Sequence, residues 1–242
     1  MGDGSLQAIE ALQAQLTEQA AALASLQHDL QAANLAKAGV TPADVEWKVL
    51  TSAFVFMMQL GFAMVESGMC RQVNVITTYA KNILDFALGS LVALLFGYRI
   101  AYGIDALHVP IGDPQQAYFF NFLVFQATAA TIISGAMAER TAVFGYCVLT
   151  MFVSGVIFPL AVSFTWGGGY LSQMEPPFHD FSGSGVVHVV GGASSVAGCL
   201  AIGPRIGRWD PQKHGEFVPS DVKTMLGGVL LLWVGWYGFN PG

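Results

Sequence analysis

The chain has 242 residues, of which 54% are hydrophobic and only 11% charged, and its formal net charge is −6. Soluble domains carry about 25% charged residues, so this composition argues against a water-soluble globule and for hydrocarbon as solvent. No basic stripe marks a nucleic-acid surface. Cys70, Cys147 and Cys199 are too scattered among apolar neighbours to form a disulfide framework or a zinc site.

The first element is polar. MGDGSLQAIEALQ lacks a basic stretch followed by an apolar one, so no signal peptide is visible. Ile9, Leu16, Leu23 and Leu30 repeat every seventh residue, and Leu12, Gln19, Leu26 and Ala33 fill the second seam position. Residues 1–40 therefore read as an extramembrane helical extension forming a short coiled coil. The alternative is a lone amphipathic helix, although the Lys/Arg-rich face of a membrane-surface helix is missing. Gly39 ends the segment, and Thr41 is placed to cap the next helix with Pro42 in its first turn.

Six apolar segments then follow, near 49–68, 82–101, 119–138, 143–165, 185–203 and 223–240. Each approaches the roughly 20 residues a bilayer crossing demands. The fold expected for residues 45–242 is an all-α, polytopic membrane helix bundle. The loops after the first, third and fifth segments hold Arg71, Lys81, Arg140, Arg205, Arg208, Lys213 and Lys223. Those after the second and fourth hold Asp105, Asp113, Glu175 and Asp180 instead. The positive-inside rule then puts the N-terminus outside. Gly191/Ser195 and Ser194/Gly198 make small-xxx-small pairs that suit close packing of the fifth segment.

No enzyme constellation, metal-ligand spacing or cofactor motif stands out. The informative residues are polar or aromatic ones at membrane depth. His188 sits in GSGVVHVVGG, about two helical turns beyond Asp180. Two readings stand for it: a neutral ring hydrogen-bonded for packing, or a group facing a water-filled path. Asp180 precedes FSGSG at the start of the fifth segment, where a carboxylate caps the helix and can also attract a cation. Trp166, in SFTWGGGY, is either an interface anchor or an open π face for a small cation. Phe125 and Phe239 read as packing residues when taken alone.

Taken together, MQLGFAMVESG (58–68), KNILDFALGSLVALLFGY (81–98), ATAATIISGAMAERT (127–141), WGGGY (166–170), DFSGSGVVH (180–188) and GWYGFNPG (235–242) resemble the Amt branch of the Amt/Mep/Rh ammonium transporters. The resemblance covers residues 45–242. It implies about eleven membrane helices per protomer, each of bilayer-spanning length, a pore in every protomer and a homotrimer in the cell membrane. Trp166 would flank the outer ammonium site, Phe125 and Phe239 would form a stacked gate, and His188 would be the first of two pore histidines. Asp180 would support the site. Ammonium would be recruited outside, NH3 would cross an apolar lumen and the proton would follow. The resemblance also implies that these residues are a fragment, with the second histidine beyond Gly242. A cytoplasmic regulatory protein is a further partner that the family allows. An ammonium sensor on the same scaffold, or a non-conducting fragment, are the alternatives. The first cytoplasmic loop, RQVNVITTYAKN, departs from the RxKN run of relatives, and Asn121 stands where relatives often carry another aromatic.

Overall fold

The computed structural model describes residues 3–37 and 39–242, which divide into two compact units, Met1–Val45 and Glu46–Gly242. In the first, α1 (Asp3–Lys37) is a single 35-residue helix. Ile9, Leu12, Leu16, Leu23 and Leu26 of its heptad seam are all exposed, while the side chains of Leu30 and Ala33 lie outside the described set. Thr41 caps the next helix reciprocally: Asp44 Oδ2 accepts from the Thr41 amide and hydroxyl, each at 2.7 Å, and Thr41 Oγ1 accepts the Asp44 amide.

Six helical spans are long and apolar enough to cross a membrane among the described residues. The first is α2 (Pro42–Met69). The second opens with a short 3-10 turn and α3 (Val75–Val92), which passes through a π-helical turn at Ala93–Gly97 into α4 (Tyr98–Tyr102). The third is α5 (Gln115–Met137). The fourth joins α6 (Val143–Phe152) to α7 (Phe158–Phe164) through a π-turn at Val153–Ile157. A third π-turn, Ser184–Val189, leads into α8 (Val190–Ile202), and α9 (Val222–Phe239) is the last span. This is the polytopic all-α bundle that the apolar segments imply. The second span, however, begins at Gln72 and not near residue 82. QVNVITTYA carries no charge, so the helix extends back through it.

The bundle is organised around α5. Its middle reads ATAATIISGA, and Ala127, Thr128, Ala129, Ala130, Thr131 and Ser134 are all buried. Small side chains let neighbouring backbones come close, the way helices associate in lipid. The most extensive partner of α5 is α8, whose Gly191 lies against Ile132 and the Ala129 carbonyl and whose Gly198 lies against Met137. Ser195 also points its hydroxyl at the Ile132 carbonyl, at 3.4 Å.

α2 and α9 run antiparallel with glycine on both surfaces. Gly68 lies against Asp221 and Met225, Gly61 against Gly228 and Leu232, and Gly235 against Phe54 and Met58. The bundle thus has two distinct ends. One gathers Trp47, Trp166, Asp180 and Phe239; the other gathers Glu139, Arg71 and Arg205.

Gly228 of the α2–α9 contact and Gly192 of α8 yield opposite expectations. A Cβ at Gly228 would sit 2.7 Å from the Gly61 carbonyl and 2.8 Å from the Val65 amide, both backbone. Gly228→Ala is expected to cost about 1–3 kcal/mol, read as a lowered thermal unfolding midpoint in detergent. At Gly192 a Cβ meets nothing within 4 Å, so Gly192→Ala should leave the midpoint unchanged or raise it.

Candidate functional site

The loop that carries Asp180 is shaped by its carboxylate. Asp180 Oδ2 accepts the amides of Gly185 and Val186 at 2.7 and 2.9 Å, two of the donors that a helix start leaves without partners. To bring those amides round, the chain turns through left-handed conformations at Ser182 (φ 53°) and Gly183 (φ 77°). Gly185 must be glycine for another reason, since a Cβ there would lie 2.6 Å from Asp180 Oδ2. Oδ1 of Asp180 is buried without a hydrogen-bond partner among the described residues.

This turn delivers His188 inside a π-helical segment. Val187 and His188 both donate their amides to the Gly183 carbonyl, at 2.9 and 3.0 Å, and His188 Nδ1 lies 3.3 Å from the same oxygen. A proton on Nδ1 would satisfy that contact and leave the Nε2 lone pair facing away. The extra residue of a π-turn rotates side chains off the ordinary helical register, as π-turns at functional sites often do.

Around it four more rings form a continuous series. Trp166 is 36% exposed, whereas Phe125 and Phe239 are 4% and 1% exposed. The indole is edge-on to Phe125 at 6.0 Å between centroids, and its Nε1–H points at the Asp180 carbonyl, at 3.4 Å. Phe125 and Phe239 stack at 4.3 Å with 19° between planes. His188 then lies 5.3 Å from Phe239 on the far side of the stack and 5.4 Å from Trp236. The structure therefore brings together all five residues singled out in the sequence, in the order Trp166, Phe125 with Phe239, then His188, with Asp180 behind. Ser182 Oγ donates to the Asn240 carbonyl at 2.7 Å and ties this loop to the end of α9. Asn121 is not part of the series; it donates to Ser52 Oγ at 3.2 Å.

Past His188 opens an apolar groove of about 490 Å³, lined by Phe62, Ile132, His188, Val229, Leu232, Trp233 and Trp236. Phe62 and Ile132 also line a second cavity of about 490 Å³ toward the opposite end, with Glu66, Thr131, Glu139, Arg140 and Arg205 among its walls.

Beside that cavity lies a polar network that the sequence reading did not anticipate. Lys81 was expected in the basic loop; it is instead a buried residue of α3. Its ammonium contacts Glu66 Oε2 and the Ser134 carbonyl, both at 2.8 Å, and sits 4.8 Å from the Tyr146 ring. A turn further on, Asp85 accepts from Thr150 Oγ1 at 2.6 Å and Thr131 Oγ1 at 3.1 Å. At the mouth, the Glu139 carboxylate takes the amide and Nε–H of Arg71, the Asn74 amide group and an Arg205 guanidinium N–H.

The profile of the Ammonium Transporter Family matches residues 46–242, the whole of the membrane unit. The chain belongs to that family. Among curated relatives, ammonium transporter Amt2 of Archaeoglobus fulgidus is 37% identical over 83% of this chain and 47% of its own length. Ammonium transporter 1 member 3 of Solanum lycopersicum is 37% identical over 85% of this chain and 49% of its own length. A solved structure titled Sensor Amt Protein superposes with a TM-score of 0.72 at 30% identity, covering 81% of this chain and 53% of that one. Candida albicans Mep2 shares the fold, with a TM-score of 0.69 at 24% identity over 83% of this chain and 48% of that one. The chain spans about half the length of the curated relatives it matches.

Within this ammonium transporter family member, the residues missed from sequence still left signals. Glu66, Lys81 and Asp85 are charges close to or inside apolar runs, where an ionisable group needs a partner. Trp236 lies three residues before Phe239 on one helix, which puts both rings on the same face.

The site leads to two stability measurements. Asp180→Ala removes two charge-assisted bonds to backbone amides, each worth roughly 1.5–3 kcal/mol, and should lower the thermal midpoint more than Asp180→Asn, which keeps an acceptor. Glu139 lies outside the spans. Burial pushes its carboxyl up, but the hydrogen bonds from Arg71, Asn74 and Arg205 outweigh that and hold it at about 2, below the usual 4.5. A depressed carboxyl stabilises above its unfolded value. That contribution is complete above about pH 4.5 and fades as pH falls toward 2. An acid titration of unfolding should show this limb in the parent protein and lack it in Glu139→Gln.

Proposed function

We propose that this chain forms part of an ammonium transporter in which Trp166 and the Phe125–Phe239 stack admit the solute and His188 lines the path beyond. The observation that carries this reading is the stack itself: two phenyl rings 4.3 Å apart, between an exposed indole and a half-buried imidazole. An indole face attracts a small cation through its quadrupole. Asp180 holds the loop and adds negative charge nearby. An apolar groove then favours NH3 over NH4+, because an unpaired charge in hydrocarbon is costly to desolvate. K+ has no proton to give up and so stays excluded. The neutral imidazole of His188 can take part in returning the proton, since either ring nitrogen can carry it.

In this reading the Trp166 end faces outward and the Glu139 end the cytoplasm, consistent with Arg71, Arg140, Arg205 and Arg208 at the latter. The protein works as a homotrimer in the cell membrane, and residues 1–40 form an extramembrane domain distinct from 45–242. The exposed heptad seam of α1 supports a coiled coil between copies. A second reading, an ammonium sensor that signals through a cytoplasmic partner, is favoured by the 30% identity to the structure titled Sensor Amt Protein.

Methylammonium uptake by the protein in a host lacking its own transporters tests the first reading. Trp166→Leu and His188→Ala are each expected to reduce uptake at least tenfold, about the factor that 1.4 kcal/mol supplies. Undiminished uptake in both variants would overturn the site assignment. No uptake by the parent, together with an ammonium-dependent signal, would favour the sensor. Crosslinking a peptide of residues 1–40 should give oligomers, and a monomer alone would remove the coiled coil.

A further inference from the structure

Glu66 is only partly used by the network around it. Its side chain is 6% exposed and its Oε2 is occupied by Lys81, at 2.8 Å, and by the Ser134 hydroxyl, at 2.9 Å. Its other oxygen, Oε1, is buried with no hydrogen-bond partner among the described residues. Glu66 lines the cavity toward the Glu139 end, and that cavity shares Phe62 and Ile132 with the groove below His188. A buried carboxylate oxygen without a donor is costly to leave so. The other charged groups of the same cavity are committed elsewhere: Arg140 donates to the Gly203 carbonyl at 2.8 Å, and Arg205 pairs with Glu139.

We propose that Glu66 Oε1 is a receiving site for ammonium where the path from His188 leaves the apolar groove, an assignment that rests on the transport reading above. The group that fits is a small monovalent nitrogen cation able to donate an N–H bond. The side chains of Phe62 and Ile132 carry no polar atom, and in the cavity beyond them Glu66 Oε1 is the carboxylate oxygen left without a donor among the described residues. Lys81 sets the strength. Its charge, 2.8 Å from Oε2, cancels much of the carboxylate field, so a cation is held weakly enough to leave, as conduction requires. The charged and titratable groups facing Glu66 among the described residues are Cys70 just past α2, Lys81 and Asp85 from α3, Tyr146 from α6, and Glu139, Arg140 and Arg205 at the mouth. None of them fills Oε1.

Half-saturation for methylammonium flux, measured from each face of oriented proteoliposomes, tests the assignment. Glu66→Gln is expected to raise the value about tenfold from the Glu139 face, the loss of one charge-assisted bond, and to leave the value from the Trp166 face unchanged. Because Glu66→Gln strands the Lys81 charge, the paired variant E66Q/K81M is measured beside it and should show the same one-sided shift. Three results overturn the assignment: no shift in either variant, which means that Oε1 is merely hydrated; equal shifts on both faces, which means a structural role; or recovery in the paired variant, which traces the effect to Lys81. Each of these leaves Trp166-dependent flux, and so the transport reading, standing. Absence of flux in the parent from both faces would overturn both together.

Discussion

The bundle depends on how closely α5 can be approached. With lipid on the outside there is no hydrophobic gain in pressing one apolar helix on another, so packing must come from surface fit and from hydrogen bonds. The ATAATIISGA run supplies both. Gly191 of α8 lies against Ala129 and Ile132 of the run, and Gly198 against Met137 just beyond it. Thr128 and Thr131 return their hydroxyls to the Val124 and Ala127 carbonyls of their own helix. Phe125 stands two residues before this run, and its stacking partner Phe239 is carried on α9, which is held by the glycine contacts with α2. The position of the stack is therefore set by backbone proximity on helices that have little freedom to slide.

Polar groups inside the bundle obey the same solvent. Lys81 can lie within a span because Glu66, the Ser134 carbonyl and the Tyr146 ring together replace its water. Removing one partner of such a pair leaves a buried charge behind, the costly outcome in hydrocarbon. Asp180 follows the rule at the other end by taking two amides, and Glu139 by gathering two arginines and an asparagine. Glu66 and Glu139 join segments distant in sequence, whereas Asp180 closes a local turn. The ionised groups act here as joints between helices more than as sources of net stabilisation.

Much of the fold was legible in the sequence because bilayer crossing imposes a length and a composition that survive without any tertiary information. Six spans follow from that constraint, while the capping of α2 by Thr41 was legible from its local Thr-Pro signal. The start of the second span was not legible by the same means. Lys81 lowers the local hydropathy and resembles a loop residue until its partner, fifteen positions earlier, is known. The five aromatic and ionisable residues of the candidate site were recognisable only through their motifs. Phe125 and Phe239 come from helices 114 positions apart in the chain, and no periodicity announces a 4.3 Å stack between them. The π-turns were invisible too, since nothing in SGVVHV distinguishes a wide turn from an ordinary one. What reveals the one at Ser184–Val189 is the geometry at Gly183, whose single carbonyl receives two successive amides.

The link from Ser182 to the Asn240 carbonyl has a mechanical side. Phe239 immediately precedes Asn240, and His188 follows Ser182 by six residues, so these two neighbouring rings hang from one tethered knot of backbone. Trp47 adds a second tether through the Pro241 carbonyl, at 2.9 Å. A swinging loop cannot part Phe125 from Phe239 without breaking these ties. In the transport reading proposed above, an opening of the stack would therefore have to come from rotation of the phenyl rings about their own side-chain bonds. Passage in that reading would be metered as by a turnstile, one small body at each turn of the rings, with the frame standing still.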